Sequence, residues 1–307
     1  MTKVFIDGSA GTTGLRIYDR LSQRNDLELL ILSDELRKDP GARKEALFAA
    51  DVAFLCLPDD AAREAVALAE GSKVKIIDTS TAHRTNDAWA YGFPELSGNR
   101  AKIQGSSRIA NPGCHASGFI ALVAPLVEQG IVSKDAKLSC FSLTGYSGGG
   151  KKMIAEYEDA DRNVLLDAPR QYALGQTHKH IPEIVKVCGL ENTPVFCPIV
   201  ADFYAGMEVT VSLFGSDIKG NINDIRDLYK SYYAEGLVRY NDAPDADGLL
   251  SAGAYAGRDD MQVSVNGNDE RIILTARFDN LGKGASGAAI QNMNILLGLN
   301  EATGLNV

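Results

Sequence analysis

The stretch KVFIDGSAGTTG, at residues 3–14, decides the fold. Residues 4–6 form a short apolar run of the kind found in buried parallel strands. Gly8, Gly11 and Gly14 separate that run from a helical pattern. Glycines at such a turn let the backbone approach a pyrophosphate, and the start of the next helix attracts its charge. The GxxGxxG spacing is weak by itself, and an ordinary tight turn is the alternative, but its place after the first strand favours a dinucleotide-binding loop.

The first half of the chain continues this alternation of strands and helices. Apolar runs at residues 27–32, 52–57 and 74–77 are separated by helical patterns, for example at 15–22 and 61–69. Such a β-α-β-α succession predicts a Rossmann-type, doubly wound parallel sheet with right-handed crossovers.

The second half has a different pattern, with longer alternating segments and fewer helices. A helix is expected around residues 223–234, and a last one over about 286–299. This pattern predicts an α+β domain with a mostly antiparallel sheet. Its expected strands lie at residues 137–144, 195–200, 207–214, 261–265 and 271–278.

Composition limits the class of protein. The net charge of −9 argues against a nucleic-acid binder, which would normally carry a basic face. The five cysteines form no CxxC pair, which fits free thiols in a reducing cytoplasm. The first strand leaves no room for a signal peptide, and the longest apolar stretch, residues 119–127, is too short to span a bilayer. A cytoplasmic protein without membrane or nucleic-acid partners is expected.

The residues after the second strand give conflicting signals about the cofactor. Asp34 lies about twenty residues beyond the glycine loop, where a carboxylate would bind the ribose hydroxyls of NAD. Ser33, Arg37 and Lys38 stand beside it and suit the 2′-phosphate of NADP. The basic pair could also be a solvated turn, so the residues leave both cofactors open.

The segment NPGC, at residues 111–114, points to a nucleophile. Pro112 and Gly113 predict a sharp turn between a strand ending at 107–110 and a helix. Cys114 is therefore expected at the start of a helix, where unpaired N–H groups and the helix dipole favour the thiolate. The alternative is a small residue filling a tight corner.

The segment HKHIPE, at residues 178–183, supplies a candidate acid/base. Histidine exchanges protons near neutral pH, and Glu183 could orient or charge-stabilise His180. Surface histidines without a role are the alternative. An HxH pair without a third spaced ligand is weak evidence for zinc, so no metal is expected.

Two further segments could hold an anionic group. Arg84 follows the fourth strand, at the edge where open α/β sheets bind ligands, although for this residue taken alone an exposed loop arginine is the preferred explanation. The segment GYSGGGKK, at residues 145–152, nearly matches a P-loop, but Lys152 stands where the magnesium-binding Ser or Thr belongs. A kinase or ATPase is therefore disfavoured, while binding of a phosphate or carboxylate, or a tight turn, remains possible.

These motifs together resemble the N-acetyl-γ-glutamyl-phosphate reductases in their shorter form, and more distantly the aspartate-semialdehyde dehydrogenases. The resemblance covers nearly the whole chain, and the segments NPGC at 111–114 and NLGKGASGAAIQN at 280–292 are its most specific parts. One departure is that many relatives have Tyr-Pro-Thr or Tyr-Ala-Thr after the cysteine, where this chain has His115-Ala116-Ser117. His115 is thus a third candidate base.

The resemblance implies a dinucleotide-binding domain over 1–114 and 284–307 and a catalytic and dimerisation domain over 115–283. It makes Cys114 the nucleophile and the histidine motif the acid/base, with His180 favoured over His178 and supported by Glu183. The expected cofactor-binding residues are Gly8, Ala10, Gly11, Thr12, Thr13, Gly14, Ser33, Arg37, Lys283, Gly284 and Asn292. The expected substrate-binding residues are Arg84, Asn111, Ser147, Gly148 and Lys151.

The implied reaction is the NADP(H)-dependent reductive dephosphorylation of N-acetyl-γ-glutamyl phosphate, through a cysteine thioester, in arginine biosynthesis. The expected partners are this acyl phosphate, inorganic phosphate and further copies of the chain in a dimer or tetramer. Three alternatives remain open: aspartyl or aminoadipyl phosphate as the substrate, a dinucleotide-binding sensor without turnover, and a cysteine acyl-transferase or hydrolase, which the glycine loop disfavours.

Overall fold

The computed structural model describes residues 1–244 and 247–307. The chain divides into two units. Unit 1 contains Met1–Pro112 and Ala285–Leu305, and unit 2 contains Gly113–Gly284 and Asn306–Val307.

The strands and helices are numbered in chain order. The strands are β1 Thr2–Asp7, β2 Leu27–Leu30, β3 Val52–Leu55, β4 Lys75–Asp78, β5 Ala90–Tyr91, β6 Arg108–Ala110, β7 Ser139–Gly145, β8 Arg170–Gln171, β9 Val195–Ala201, β10 Met207–Phe214, β11 Val238–Tyr240, β12 Met261–Gly267 and β13 Arg271–Phe278. The α-helices are α1 Thr12–Leu21, α2 Pro40–Ala49, α3 Asp59–Leu68, α4 Asn99–Gly105, α5 Cys114–Glu128, α6 Gly150–Glu158, α7 Ile181–Cys188, α8 Ile222–Tyr232 and α9 Gly287–Leu296.

Unit 1 contains a parallel sheet in the order β2-β1-β3-β4-β6-β5. Its central strands are apolar on both faces, and Val52, Phe54 and Leu55 of β3 are completely buried. Residues of α9 pack into the same core as β1 and β3, which explains why the C-terminal segment belongs to this unit. Parallel strands with helical crossovers place their carboxyl ends at one edge, where ligands of this architecture bind.

Unit 2 contains a mixed sheet in the order β11-β12-β13-β10-β7-β9-β8. The neighbours β11–β12 and β7–β9 are parallel, and the other neighbouring pairs are antiparallel. Helix α5 packs closely on β10. At Gly118 the two elements are so close that an added Cβ atom would lie 2.4 Å from a methyl carbon of Val209. That close contact fixes the helix whose first residue is Cys114.

The predicted fold class is confirmed, with a Rossmann-like parallel sheet and a second, mixed sheet that is mostly antiparallel. The strand runs predicted at residues 4–6, 27–32, 52–57 and 74–77 correspond to β1 to β4. The last helix is shorter than predicted, because α9 ends at Leu296 and Gly298 has a φ of +71°, which stops the helix before residue 299.

Candidate active site

The cysteine of the NPGC segment lies where the sequence placed it, at the start of α5. Strand β6 ends at Ala110, and Gly113 is the extended N-cap residue of the helix. The thiol of Cys114 is partly exposed, and the first turn of α5 carries no acidic residue. Backbone N–H groups at a helix start point outward and favour an anion, so this position stabilises a thiolate.

Glu183 holds the turn in front of Cys114. Its side chain is 1% exposed, and its Oε1 accepts a 2.9 Å hydrogen bond from the N–H of Gly113. The sequence suggested that this carboxylate orients His180. The contact with Gly113 gives it a role that the sequence did not predict, which is to fix the backbone that presents Cys114.

His115 is buried and engaged through both ring nitrogens. Its Nδ1 lies 2.6 Å from Ser142 Oγ, and its Nε2 lies 2.7 Å from Tyr172 Oη. Burial, and then the nearby charge of His178, lower the pKa of His115 to about 3. The ring is therefore neutral at physiological pH and a poor proton acceptor, which argues against His115 as the general base.

His178 and His180 lie with His115 in one cluster of imidazoles. The ring centroids of His178 and His180 are 4.7 Å apart, and that of His180 is 5.6 Å from that of His115. The N–H of His180 donates to Nδ1 of His178 over 3.2 Å. Burial, and then the charge of Lys179, lower the pKa of His178 to about 4, so this ring is also neutral near pH 7. His180 is buried at the N-cap of α7.

Tyr172 is a member of this cluster that the sequence did not single out. It follows β8, its side chain is half-buried, and its ring contacts His178 edge-on. Burial, and then the negative charge of Cys114, raise the pKa of Tyr172. The phenol is therefore protonated and lies within electrostatic reach of the thiol.

The glycine-rich loop at residues 145–150 is tied to the segment that follows β13. The side chain of Asn280 donates to Ser147 Oγ over 2.9 Å and accepts the N–H of Gly206 over 2.9 Å. Ser147 is 1% exposed, so its hydroxyl supports the loop in this structure. Gly148 lies beside Asn280, and Lys151 is exposed at the start of α6.

The backbone after Asn280 runs beside Cys114. A Cβ atom added at Gly284 would lie 3.0 Å from that of Cys114, so glycine allows this close approach. Asp279 accepts the N–H groups of Leu281 and Gly282 and thereby shapes the turn. Lys283 lies in this turn and is 1% exposed.

The glycine loop of unit 1 borders a cavity of about 250 Å³. Gly8 has a φ of +88°, and a Cβ atom there would lie 2.3 Å from the carbonyl oxygen of Cys56. A Cβ atom at Gly14 would lie 2.4 Å from the carbonyl oxygen of Gly8. Ala10 and Gly11 also line the cavity, and α1 begins directly afterwards with Thr12 and Thr13. The loop therefore has the geometry of a phosphate cradle.

Arg37 and Lys38 line the same cavity as the glycine loop. The side chain of Asp34 is 88% exposed, and its carboxylate lies 3.4 Å from Nε of Arg37. The carbonyl of Ser33 accepts the N–H of Arg37, which forms the turn that carries the basic pair. Two cationic side chains at the cavity favour a dinucleotide that carries another phosphate besides its pyrophosphate.

Arg84, Asn111 and Asn292 are linked within unit 1. Arg84 donates from Nε to the carbonyl of Asn111 and from Nη2 to that of Thr79, each over 2.9 Å. Asn111 is 1% exposed, its Nδ2 donates to the carbonyl of Ala285, and its Oδ1 accepts from Asn292. These bonds give Asn111 a positioning role, because its side chain joins two segments of the unit.

Two family models match the chain. The model described as "Semialdehyde dehydrogenase, NAD binding domain" matches residues 3–106, and "Semialdehyde dehydrogenase, dimerisation domain" matches residues 114–280. A curated protein of Nostoc sp. named N-acetyl-gamma-glutamyl-phosphate reductase 2 is 45% identical over 99% of both chains. A protein of Brucella ovis named N-acetyl-gamma-glutamyl-phosphate reductase is 44% identical over 96% of this chain and 99% of its own.

The chain belongs to the N-acetyl-γ-glutamyl-phosphate reductase family. The family resemblance of its motifs is thus confirmed. The solved structure of aspartate semialdehyde dehydrogenase II from Vibrio cholerae shares the fold, with a TM-score of 0.74 at 16% identity over 97% of this chain and 98% of that one.

The described parts of the chain also bear on other sites. None of the five cysteines, all of which the structure describes, forms a disulfide. Within residues 1–244 and 247–307, no group of three or more His, Cys, Asp or Glu side chains is placed to hold a metal ion. Over the same ranges, no helix combines the length and apolar character that crossing a membrane requires.

Proposed function

We propose that this chain reduces N-acetyl-γ-glutamyl phosphate to N-acetylglutamate semialdehyde with NADPH, as a step of arginine biosynthesis. The observation that carries the proposal is the partly exposed Cys114 thiol at the start of a helix, in a chain of this family, with His115 of the imidazole cluster as the next residue. We also propose that unit 1 binds the dinucleotide and that unit 2 carries the chemistry and the contact between subunits.

In the first step, the Cys114 thiolate attacks the acyl carbon of the substrate. A C–S bond forms, the C–O bond to phosphate breaks, and inorganic phosphate leaves, so that the enzyme holds a thioester. The backbone N–H groups at the start of α5 are placed to stabilise the oxyanion of this step. Splitting the conversion into two steps through a covalent intermediate lowers each barrier.

In the second step the thioester is reduced to the aldehyde. NADPH supplies the hydride when it is bound. His180 accepts the thiol proton before the first step. During reduction the protonated His180 stabilises the oxyanion by a hydrogen bond, and as this oxyanion forms the aldehyde carbonyl the C–S bond breaks and Cys114 leaves as thiolate. We assign this role to His180 because the pKa values of His115 and His178 are lowered to about 3 and 4.

The residues of unit 1 fit NADP(H). Gly8 and Gly14 leave no room for a side chain, as a pyrophosphate cradle requires. Arg37 and Lys38 would bind the 2′-phosphate. Asn292 has a buried Oδ1 without a hydrogen-bond partner among the described residues, which suits an amide N–H of the cofactor.

We propose Arg84, Gly148 and Lys151 as the groups that contact the substrate. The two carbonyl contacts of Arg84 hold its guanidinium beside Thr79 and Asn111, and an arginine at this edge of a parallel sheet suits a phosphate. Asn111 and Ser147 position these segments, since both side chains are buried and hydrogen-bonded.

Following NADPH absorbance in the reverse direction tests this function. N-acetylglutamate semialdehyde, phosphate and NADP⁺ should give NADPH, and omission of phosphate should stop its formation. Replacing NADP⁺ with NAD⁺ should lower the rate about tenfold or more, since it removes charge-assisted hydrogen bonds. Aspartate semialdehyde should react at least about tenfold more slowly, because its chain is shorter. Equal rates with both aldehydes would indicate that another acyl phosphate is the substrate. No NADPH formation at all would contradict the proposed function.

We propose that the protein is a homodimer formed through the outer face of the unit 2 sheet. Phe141 is 51% exposed and Val195 is 54% exposed, on strands paired in the sheet. A large exposed apolar patch marks an interaction surface, and the dimerisation-domain model covers these strands. The residues of this face include Phe141, Leu143, Val195, Cys197, Ile199, Phe214 and Ile273.

Phe141→Asp tests that interface. A charge buried without a partner costs more than about 3 kcal/mol, so the dimer should dissociate at concentrations at least about a hundredfold higher than for the unchanged protein. Sedimentation analysis measures this, with Phe48→Asp, on α2 of unit 1 and 49% exposed, as the matched control. An unchanged assembly in Phe141→Asp would contradict the interface.

The proposed role of Cys114 also indicates the cellular compartment of the enzyme. A cysteine nucleophile has to stay reduced, and the cytoplasm maintains free thiols. We therefore place the enzyme in the cytoplasm.

A further inference from the structure

The loop of unit 1 that carries Arg84 is wound around the carboxylate of Asp78. This aspartate is the last residue of β4 and is completely buried. Its Oδ1 accepts the N–H of Ser80 over 2.9 Å, and its Oδ2 accepts the hydroxyl of Ser80 over 2.8 Å. Nδ1 of His83 lies 2.6 Å from the same Oδ2. An ionised carboxylate only accepts hydrogen bonds, so Nδ1 of His83 carries the hydrogen and donates it.

The ring of His83 is held by a second contact besides Asp78. It is buried and stacks on the ring of Trp89, with 4.0 Å between the centroids and 11° between the planes. The backbone between the two rings is closed by hydrogen bonds, because the carbonyl of His83 accepts the N–H of Asn86 and the carbonyl of Asn86 accepts the N–H of Trp89. A histidine held between a buried carboxylate and a stacked indole has one orientation, and the next residue of the chain is Arg84.

The carbonyl groups that accept the hydrogen bonds of Arg84 are also tied to Asp78. One is the carbonyl of Thr79, the residue that follows Asp78 in the chain. The other is the carbonyl of Asn111, whose own N–H donates to the carbonyl of Asp78 over 2.8 Å. Asp78 therefore anchors both the imidazole that precedes Arg84 in the chain and the backbone that its guanidinium contacts.

We propose that His83, through its hydrogen bond to Asp78, is a positioning residue that holds the guanidinium of Arg84 at the carboxyl end of β4 for the phosphate group of the substrate. His83 acts through Arg84 and does not contact the phosphate itself. A guanidinium binds phosphate through two parallel hydrogen bonds, and a displacement of about 1 Å disrupts that geometry. The inference deepens the proposed function and rests on it for the identity of the anion.

The KM for inorganic phosphate in the reverse reaction tests the inference. His83→Leu removes the donor to Asp78 and keeps an apolar side chain against Trp89. It should raise the KM for phosphate about tenfold or more, while kcat and the KM for NADP⁺ change less than about threefold, because only the grip on phosphate is lost. His83→Asn is the matched variant. Its amide nitrogen reaches the Nδ1 position and donates to Asp78, so the KM for phosphate should stay within about threefold of that of the unchanged protein.

A double-mutant cycle shows whether His83 acts through Arg84. Arg84→Ala should raise the KM for phosphate about a hundredfold, since it removes charge-assisted hydrogen bonds. Adding His83→Leu to Arg84→Ala should change the KM little further, because no guanidinium remains to be positioned. If His83→Leu fails to fold, His83→Gln takes its place in the cycle with the same expected results, because its amide extends beyond the Nδ1 position.

An unchanged KM for phosphate in His83→Leu would overturn the inference, and so would effects of His83→Leu and Arg84→Ala that multiply in the double variant. Calorimetric titration of the full-length protein with inorganic phosphate separates this result from the proposed function, because binding needs neither NADP⁺ nor aldehyde. If the unchanged protein binds phosphate more tightly than His83→Leu but forms no NADPH, the proposed function fails and the positioning role of His83 stands. If NADPH forms and both proteins bind phosphate equally, the positioning role fails and the proposed function stands.

Discussion

Cys114→Ser should abolish the phosphate-dependent formation of NADPH while changing the affinity for NADPH by less than about twofold. The hydroxyl of serine is far less acidic than a thiol, so the start of α5 has no anion to stabilise and no thioester forms. We expect a loss of more than about four orders of magnitude in kcat, the scale on which enzymes lose rate when their nucleophile is removed. Cofactor affinity is retained because the glycine loop belongs to unit 1.

Cys197→Ser is the control for removing a thiol, because this cysteine also belongs to unit 2 and forms no disulfide, and serine keeps its size within the proposed interface. It should keep normal turnover. NADPH fluorescence titration measures cofactor binding in both variants. Substantial phosphate-dependent oxidation of the semialdehyde by Cys114→Ser would show that the reaction does not pass through this sulfur.

His180→Asn should lower kcat by roughly two to four orders of magnitude, the usual contribution of a positioned general acid/base. Asparagine keeps a polar group at the N-cap of α7 but does not exchange a proton near neutral pH. His178→Asn should cost much less, because the pKa of His178 is lowered to about 4 and its Nδ1 already accepts the N–H of His180.

Steady-state rates of both variants across pH 5–9 separate these roles. In His180→Asn the fall in kcat should come with the loss of an ionisation from the pH profile, whereas His178→Asn should keep the profile. A nearly normal rate in His180→Asn, or a larger loss in His178→Asn, would assign the role of general acid/base to His178 instead.

The features of the fold that the sequence predicted are those with a local pattern. The run at residues 4–6 followed by Gly8 and Gly14 identified β1, the loop and α1, because a buried strand and a tight turn both leave composition signals. Strands β5 and β8 are two residues long and too short to show any alternation. Helix α4 was also missed, since its seven residues carry a weak apolar pattern.

The site was predictable only in part, for a similar reason. Cys114 and the histidine motif stand in distinctive local sequences, and so does the glycine loop. Tyr172 and the contact between Glu183 and Gly113 depend on tertiary packing, which brings together residues up to 70 positions apart. Asn280 lay within a family motif, but its bond to Ser147 joins residues 133 positions apart and has no signal in either local sequence.

Mass spectrometry of the protein after brief mixing with N-acetyl-γ-glutamyl phosphate in the absence of NADPH tests the central claim most directly. Without a hydride donor the thioester should accumulate. The intact protein should then gain the mass of one N-acetylglutamyl group, located on the peptide containing Cys114 and removed by hydroxylamine. An unmodified protein that nevertheless turns over when NADPH is added, or an acyl group on a different residue, would contradict the account.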